Sequence, residues 1–204
     1  IRNNVIYIYG SKIILFEIII FLGWILKKQV VFQSLLLGVD DLDTITRSNW
    51  RIRWIYKRMF RNITIYHSIN PEFSKYFIKY VNQPEKILEI PQGVNTLKFF
   101  PINQIEKNEL KKRLNIPSGL ILLSAGFVIR RKGYKAIFKT LSNLDIHFTY
   151  IILGDFYFPD RHFLKHSSPE GDELFRLGEE MLQEKVQFRG FVTNIDEYMH
   201  CADI

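Results

Sequence analysis

LILLSAGFVIRRKGYKAIFKTLSNL, residues 120–144, decides the fold of this chain. Leu120 to Leu123 form a short apolar run of the kind buried on both faces of a parallel sheet, and the small residues Ser124, Ala125 and Gly126 end it. Tyr134, Ile137, Phe138 and Leu141 then fall at i, i+3, i+4 and i+7, one face of an amphipathic helix. Between strand and helix lie Arg130, Arg131, Lys132 and Gly133, where a helix start presents unpaired N–H groups and partial positive charge. An anion, and a phosphate before others, is expected at that corner. A basic tripeptide alone is equally the mark of an ordinary solvated loop, so the flanking sequence has to decide.

Upstream stand Ile90-Pro91-Gln92-Gly93-Val94-Asn95 and Phe99-Phe100-Pro101. Downstream stand Ile151 to Gly154-Asp155, then Val186-Gln187-Phe188-Arg189-Gly190-Phe191-Val192, then Tyr198 to Ile204 with its Ala202-Asp203 pair. In order and spacing these landmarks resemble the retaining glycosyltransferases of family four, which run P-N-G-V-D, G-R-L-x-x-x-K-G, V-G-x-G, V-x-F-x-G-x-V and an alanine–aspartate pair. The resemblance covers residues 62–204 well and residues 1–61 in outline.

The resemblance implies an α/β protein of GT-B type, two Rossmann-like parallel-sheet domains that are both incomplete here. Residues 1–92 would be the C-terminal portion of an N-terminal, acceptor-side domain, and residues 93–204 the N-terminal portion of a C-terminal, donor-binding domain. The implied activity is hexosyl transfer with retention, from a nucleoside-diphosphate sugar to a glycan or lipid-linked acceptor. Lys132 would bind the donor diphosphate, with Arg131, Arg130 and Gly126 beside it. Gly190, Phe191 and Val192 would line the base pocket, and Gly154 would give the turn after its strand. No cofactor and no metal are expected.

Three positions depart from the pattern. Phe127 stands where the family has the arginine of G-R-L, so Arg131, adjoining Lys132, is the preferred substitute; Gln92 and Asn95 replace asparagine and aspartate. A non-catalytic scaffold of the same fold is the alternative that Phe127 raises. The family's glutamate pair is expected soon after Ile204, and its glycine-rich loop and acceptor-side catalytic residues before Ile1. The 204 residues by themselves are therefore expected to be a fragment without activity.

Composition sets outer limits. With 47% hydrophobic and 24% charged residues the chain is globular and not disordered. Its one cysteine, Cys201, excludes an internal disulfide, fits a reducing, cytoplasmic compartment, and is expected to be a buried inert thiol. The net charge of +7 is uneven: residues 1–92 hold 13 Lys and Arg against 7 Asp and Glu, residues 93–204 hold 15 against 14. The joint is expected at Pro91 to Pro101.

In the first half, strands are expected at Val5–Tyr9, Val30–Gln33, Asn62–Tyr66 and Lys86–Ile90. Helices between them, at Ile13–Leu26, Arg47–Arg61 and Pro71–Asn82, imply a parallel sheet with right-handed crossovers. Ile13–Leu26 is strongly apolar but only about 14 residues, short of the roughly 20 that span a bilayer. It reads as a buried crossover helix capped by Ser11.

Arg47–Arg61, RSNWRIRWIYKRMFR, holds six basic residues and no acidic one. At 100° per residue Ile52, Ile55, Tyr56, Met59 and Phe60 share the inner face. Trp50, Trp54, Arg51 and Arg58 lie on the outer one. Tryptophans amid cations suit the inner face of an anionic membrane; they equally suit a solvated surface whose indoles touch a preceding part of the protein. Nucleic acid is disfavoured, since no helix-turn-helix or RNA-module signature accompanies the patch.

Asp41-Leu42-Asp43 is a D-x-D, the carboxylate spacing that holds a divalent ion against a diphosphate in another transferase fold, but a loop or helix-start role is preferred. His162 and His166, four apart, are assigned to a surface insertion within the long loop Phe156 to Gly171 in preference to a metal pair.

Overall fold

The computed structural model describes residues 4–10, 13–48, 53–154 and 169–204. The chain divides into two compact units, Ile1–Gly93 and Val94–Ile204.

The first unit is built as β1 (Val5–Tyr9), α1 (Ile13–Ile25), β2 (Gln29–Gln33), α2 (Leu42–Ser48), α3 (Arg53–Arg61), β3 (Ile65–Ser68), α4 (Pro71–Val81) and β4 (Ile87–Glu89). The four strands are parallel in the order β1-β2-β3-β4. Side chains of successive strand residues alternate between faces, so Ile8, Val30, Phe32 and Tyr66 turn together into one core with Phe60, Phe73 and Phe77. The Tyr66 ring stacks on Phe77, centroids 4.5 Å apart. Asn70 caps α4, accepting from the Glu72 and Phe73 amides, and Pro71 opens it.

Two expectations are corrected here. The helix expected from Arg47 is entered earlier: α2 covers Leu42–Ser48 and α3 Arg53–Arg61, with residues 49–52 outside the described residues. Asp41 starts α2, its carboxylate accepting the Thr44 amide at 2.8 Å, and Leu42 and Ile45 are buried behind it. Strand β3 begins at Ile65, since Asn62 and Ile63 close the end of α3 by donating to the Met59 and Phe60 carbonyls. Ser11, Trp50, Arg51, Ile52, His162 and His166 lie outside the described residues.

The second unit runs α5 (Gln104–Arg113), β5 (Leu120–Ala125), α6 (Tyr134–Ser142), β6 (Phe148–Leu153), α7 (Pro169–Leu182), β7 (Val186–Gly190) and α8 (Ile195–Cys201). Its strands are parallel in the order β5-β6-β7. All six residues of β6 are buried, as a central strand covered on both faces must be. One face packs on Tyr134, Phe138 and Leu174, the other on Ile116, Tyr198 and Cys201. Burial pushes the Cys201 thiol up, which leaves it un-ionised and inert. Asn103 and Glu106 form a reciprocal capping box at the start of α5.

Candidate functional site

Because β5, β6 and β7 are parallel, their C-terminal ends lie side by side, and outside such ends is where open α/β sheets receive ligands. Each of these three strands meets a glycine at that end: Gly126, Gly154 and Gly190. The Gly126 N–H donates to the Leu153 carbonyl at 2.8 Å, and the Gly154 N–H to the Gly190 carbonyl at 2.7 Å. A Cβ on Gly154 would lie 2.0 Å from the Gly126 oxygen, a collision of backbone with side chain that nothing flexible can relieve. Gly154 is thus fixed by close approach as well as by its φ of +142°. Both amides are spent on the sheet, so these glycines shape a floor and do not themselves donate to a ligand.

Lys132 lies across that floor. Cε and Nζ of Lys132 lie 3.7 Å from where a Cβ on Gly126 would stand, so the ammonium folds over the end of β5 in van der Waals contact with it. Arg130–Lys132 form a single 3-10 turn, closed when the Gly133 N–H donates to the Arg130 carbonyl at 2.9 Å. Gly133, at φ +76°, then starts α6. The cations therefore sit on a turn between β5 and α6, where the sequence placed them.

The three cations are not equivalent. The Arg130 guanidinium pairs with Glu173 of α7 at 2.7 Å, and its backbone N–H donates to the Glu170 carboxylate. Arg130 thus faces α7 through an exposed ion pair. Arg131 and Lys132 are exposed, and neither forms an ion pair among the described residues. Phe127, 41% exposed, follows Gly126 directly. At the end of β7, Phe191 is 76% exposed beside Gly190, whereas Val192 packs into the core of that side; the sequence placed both in one pocket.

In the first unit Trp54, Lys57, Arg58 and Arg61 surround a surface hollow of about 560 Å³. Tyr56 and Phe60 face the core, as the helical projection requires. The D-x-D carboxylates are used structurally. Asp41 accepts from the Gly38 and Thr44 amides, and Asp43 accepts from Tyr80 Oη at 2.5 Å and pairs with Lys79 and Arg47 at 2.9 and 2.8 Å. The Tyr80 hydroxyl, with Lys79, holds the Asp43 carboxyl below its ordinary range.

One residue whose role sequence reasoning missed is Asp203. It accepts the Ile121 N–H at 2.8 Å and a bond from Lys107, while the Leu123 N–H donates to the Ile204 carbonyl at 2.9 Å. Asp203 thus draws the chain alongside β5. Burial alone would raise its carboxyl, but Lys107, the Ile121 amide and Lys111 outweigh that and hold it below the ordinary value. Only its place in the alanine–aspartate pair signalled it.

No protein-family model and no curated protein matches the sequence. Solved structures do match the fold. HepE of Anabaena, in complex with UDP and glucose, superposes with a TM-score of 0.72 at 16% identity over 98% of this chain and 51% of its own. Sucrose-phosphate synthase of Thermosynechococcus elongatus gives 0.70 at 19%, over 98% and 49%. WaaG, a glycosyltransferase of lipopolysaccharide biosynthesis, gives 0.59 at 15%, over 86% and 52%. The fold is of the GT-B type, two parallel-sheet α/β units, and the chain spans about half the length of the structures it matches.

Proposed function

We propose that this chain is part of a glycosyltransferase that takes its sugar from a nucleoside-diphosphate donor. The observation that carries this is the second unit's strand-end corner: three glycines bring β5, β6 and β7 together, and Lys132 lies over the first of them. As the glycosidic bond to the leaving diphosphate breaks, negative charge grows on phosphate and positive charge on the sugar carbon. A fixed ammonium stabilises the former without having to reorganise. Lysine suits a point charge on phosphate. Arg131 adds the second cation, and Phe191 offers a flat apolar surface for the base beside Gly190. Fixed side-chain charge would do here what a metal ion does in other transferases. The structures of HepE with UDP and with UDP-glucose support a nucleotide-sugar donor.

Residues 93–204 are the donor-binding part in this proposal, and residues 1–92 the acceptor-side part. The acceptor is a glycan or lipid-linked sugar at the inner membrane face, and the donor configuration is retained. In the full-length enzyme Lys132→Ala lowers turnover by about 10² or more while the fold is kept. Unchanged turnover would remove Lys132 from this role. Phe127, and the pairing of Arg130 with Glu173, favour one second reading, a scaffold that keeps the fold without catalysis. A scaffold need not bind UDP, GDP or ADP, so titrating the protein with each separates the two.

A further inference from the structure

The turn that carries Lys132 has no cap of its own. Ile129 precedes it in extended backbone and makes no side-chain cap, and Gly133, which closes the turn and opens α6, has no side chain to offer. The start of such a turn leaves an N–H group in need of an acceptor, and a carboxylate suits it because the same end carries partial positive charge. The acceptor comes from forty residues away: the Arg130 N–H donates to the carboxylate of Glu170, in the first turn of α7. Glu173 takes the Arg130 side chain at 2.7 Å. Residues three apart share a helix face, so one face of α7 grips one residue by its main chain and by its side chain. The platform behind that grip is fixed. Leu174 and Leu182 are buried in the core, and a Cβ on Gly178 would stand 2.8 Å from the Phe188 ring and 3.1 Å from the Phe138 ring, so α7 lies tightly against β7 and α6.

We infer that Glu170 is a positioning residue for the donor corner: from α7 it caps the basic turn and so holds the Lys132 ammonium over the end of β5. This rests on the reading of Lys132 as the diphosphate lysine. The capped amide is two residues from Lys132, and the bonds between are short-range: the Lys132 N–H donates to the Ile129 carbonyl at 3.0 Å and the Gly133 N–H to the Arg130 carbonyl at 2.9 Å. The main-chain bond carries the role. The Arg130–Glu173 pair is open to solvent, its side chains 71% and 54% exposed, and pairs of that kind contribute little. Positioning and plain charge predict opposite signs. A carboxylate beside a phosphate site repels the ligand, so removing it for its charge alone tightens binding. Removing a cap frees the turn, and binding weakens.

The test titrates UDP into the parent protein, Glu170→Ala, Glu170→Gln, Lys132→Ala and the double variant Glu170→Ala with Lys132→Ala, and follows amide hydrogen exchange at Arg130 with no nucleotide present. Glu170→Ala weakens UDP binding about fivefold, the loss of one cap, with the circular dichroism unchanged. Glu170→Gln keeps an oxygen that accepts the Arg130 N–H and stays within about twofold of the parent. In the Lys132→Ala background Glu170→Ala has no further effect, because the two residues act through one contact. The Arg130 amide exchanges at least about fivefold faster in Glu170→Ala than in the parent. Tighter or unchanged UDP binding by Glu170→Ala, the same fivefold loss whether or not Lys132 is present, or an Arg130 amide indifferent to Glu170 would each overturn the inference. If Lys132→Ala loses no affinity, the diphosphate reading fails instead, and exchange at Arg130 still decides whether Glu170 holds the turn.

Discussion

The molecule carries two clusters of cations that look alike in sequence and differ in what surrounds them. Lys132 and Arg131 stand at the converging ends of three strands, over a floor of glycines of which Gly154 leaves no room for a Cβ. Lys57, Arg58 and Arg61 stand on the open flank of a helix, among an indole and a neighbouring apolar helix. The first arrangement holds charge in one place for one compact anion. The second spreads it over a surface. Charge by itself specifies neither; the backbone beneath it does.

The sharpest way to break this contrast is to disturb the floor. Gly154→Ala forces a Cβ onto the Gly126 carbonyl and costs more than about 3 kcal/mol, read as a lowered urea midpoint for the second unit. Gly133→Ala has open space and only an unfavourable φ, and costs about 1 kcal/mol. If the two cost the same, the strand ends are not locked as described. In the first unit, Tyr80→Phe removes a donor from Asp43 and costs about 1 to 2 kcal/mol.

A smaller effect tests the tether that holds the chain beside β5. The folded carboxyl of Asp203 titrates below its unfolded value of 3.8. Its stabilisation is therefore complete above that value and is lost as the pH falls through the folded one. The gap in urea midpoint between the parent and Asp203→Asn is present at pH 6 and closes as the pH falls below about 4. The smallest effect separates the clusters directly: Lys57→Gln with Arg58→Gln leaves UDP affinity within about twofold, since exposed surface charge is screened by salt.

Much of this was legible in the sequence where the signal is local. The apolar run from Leu120 announced β5, and Val5–Tyr9 became β1 with the bounds expected for it. The start of the basic segment was misjudged because its arginines drew attention from Asp41 and Thr44, the cap that opens α2 at Leu42. The partners of Arg130 escaped the sequence for a different reason. Glu170 and Glu173 lie forty and more residues away, and no spacing rule reaches that far. The contact of Gly154 with Gly126 is equally remote, so sequence marked each glycine as a turn without showing that they touch.

The most direct measurement is calorimetric titration of UDP into the parent protein, Lys132→Ala and Arg130→Ala. With Lys132 over the strand ends and Arg130 paired to α7, the lysine variant loses at least about tenfold in affinity, and the arginine variant stays within about threefold. Equal losses in the two variants, or no loss in Lys132→Ala, would contradict the assignment of the anion to that corner.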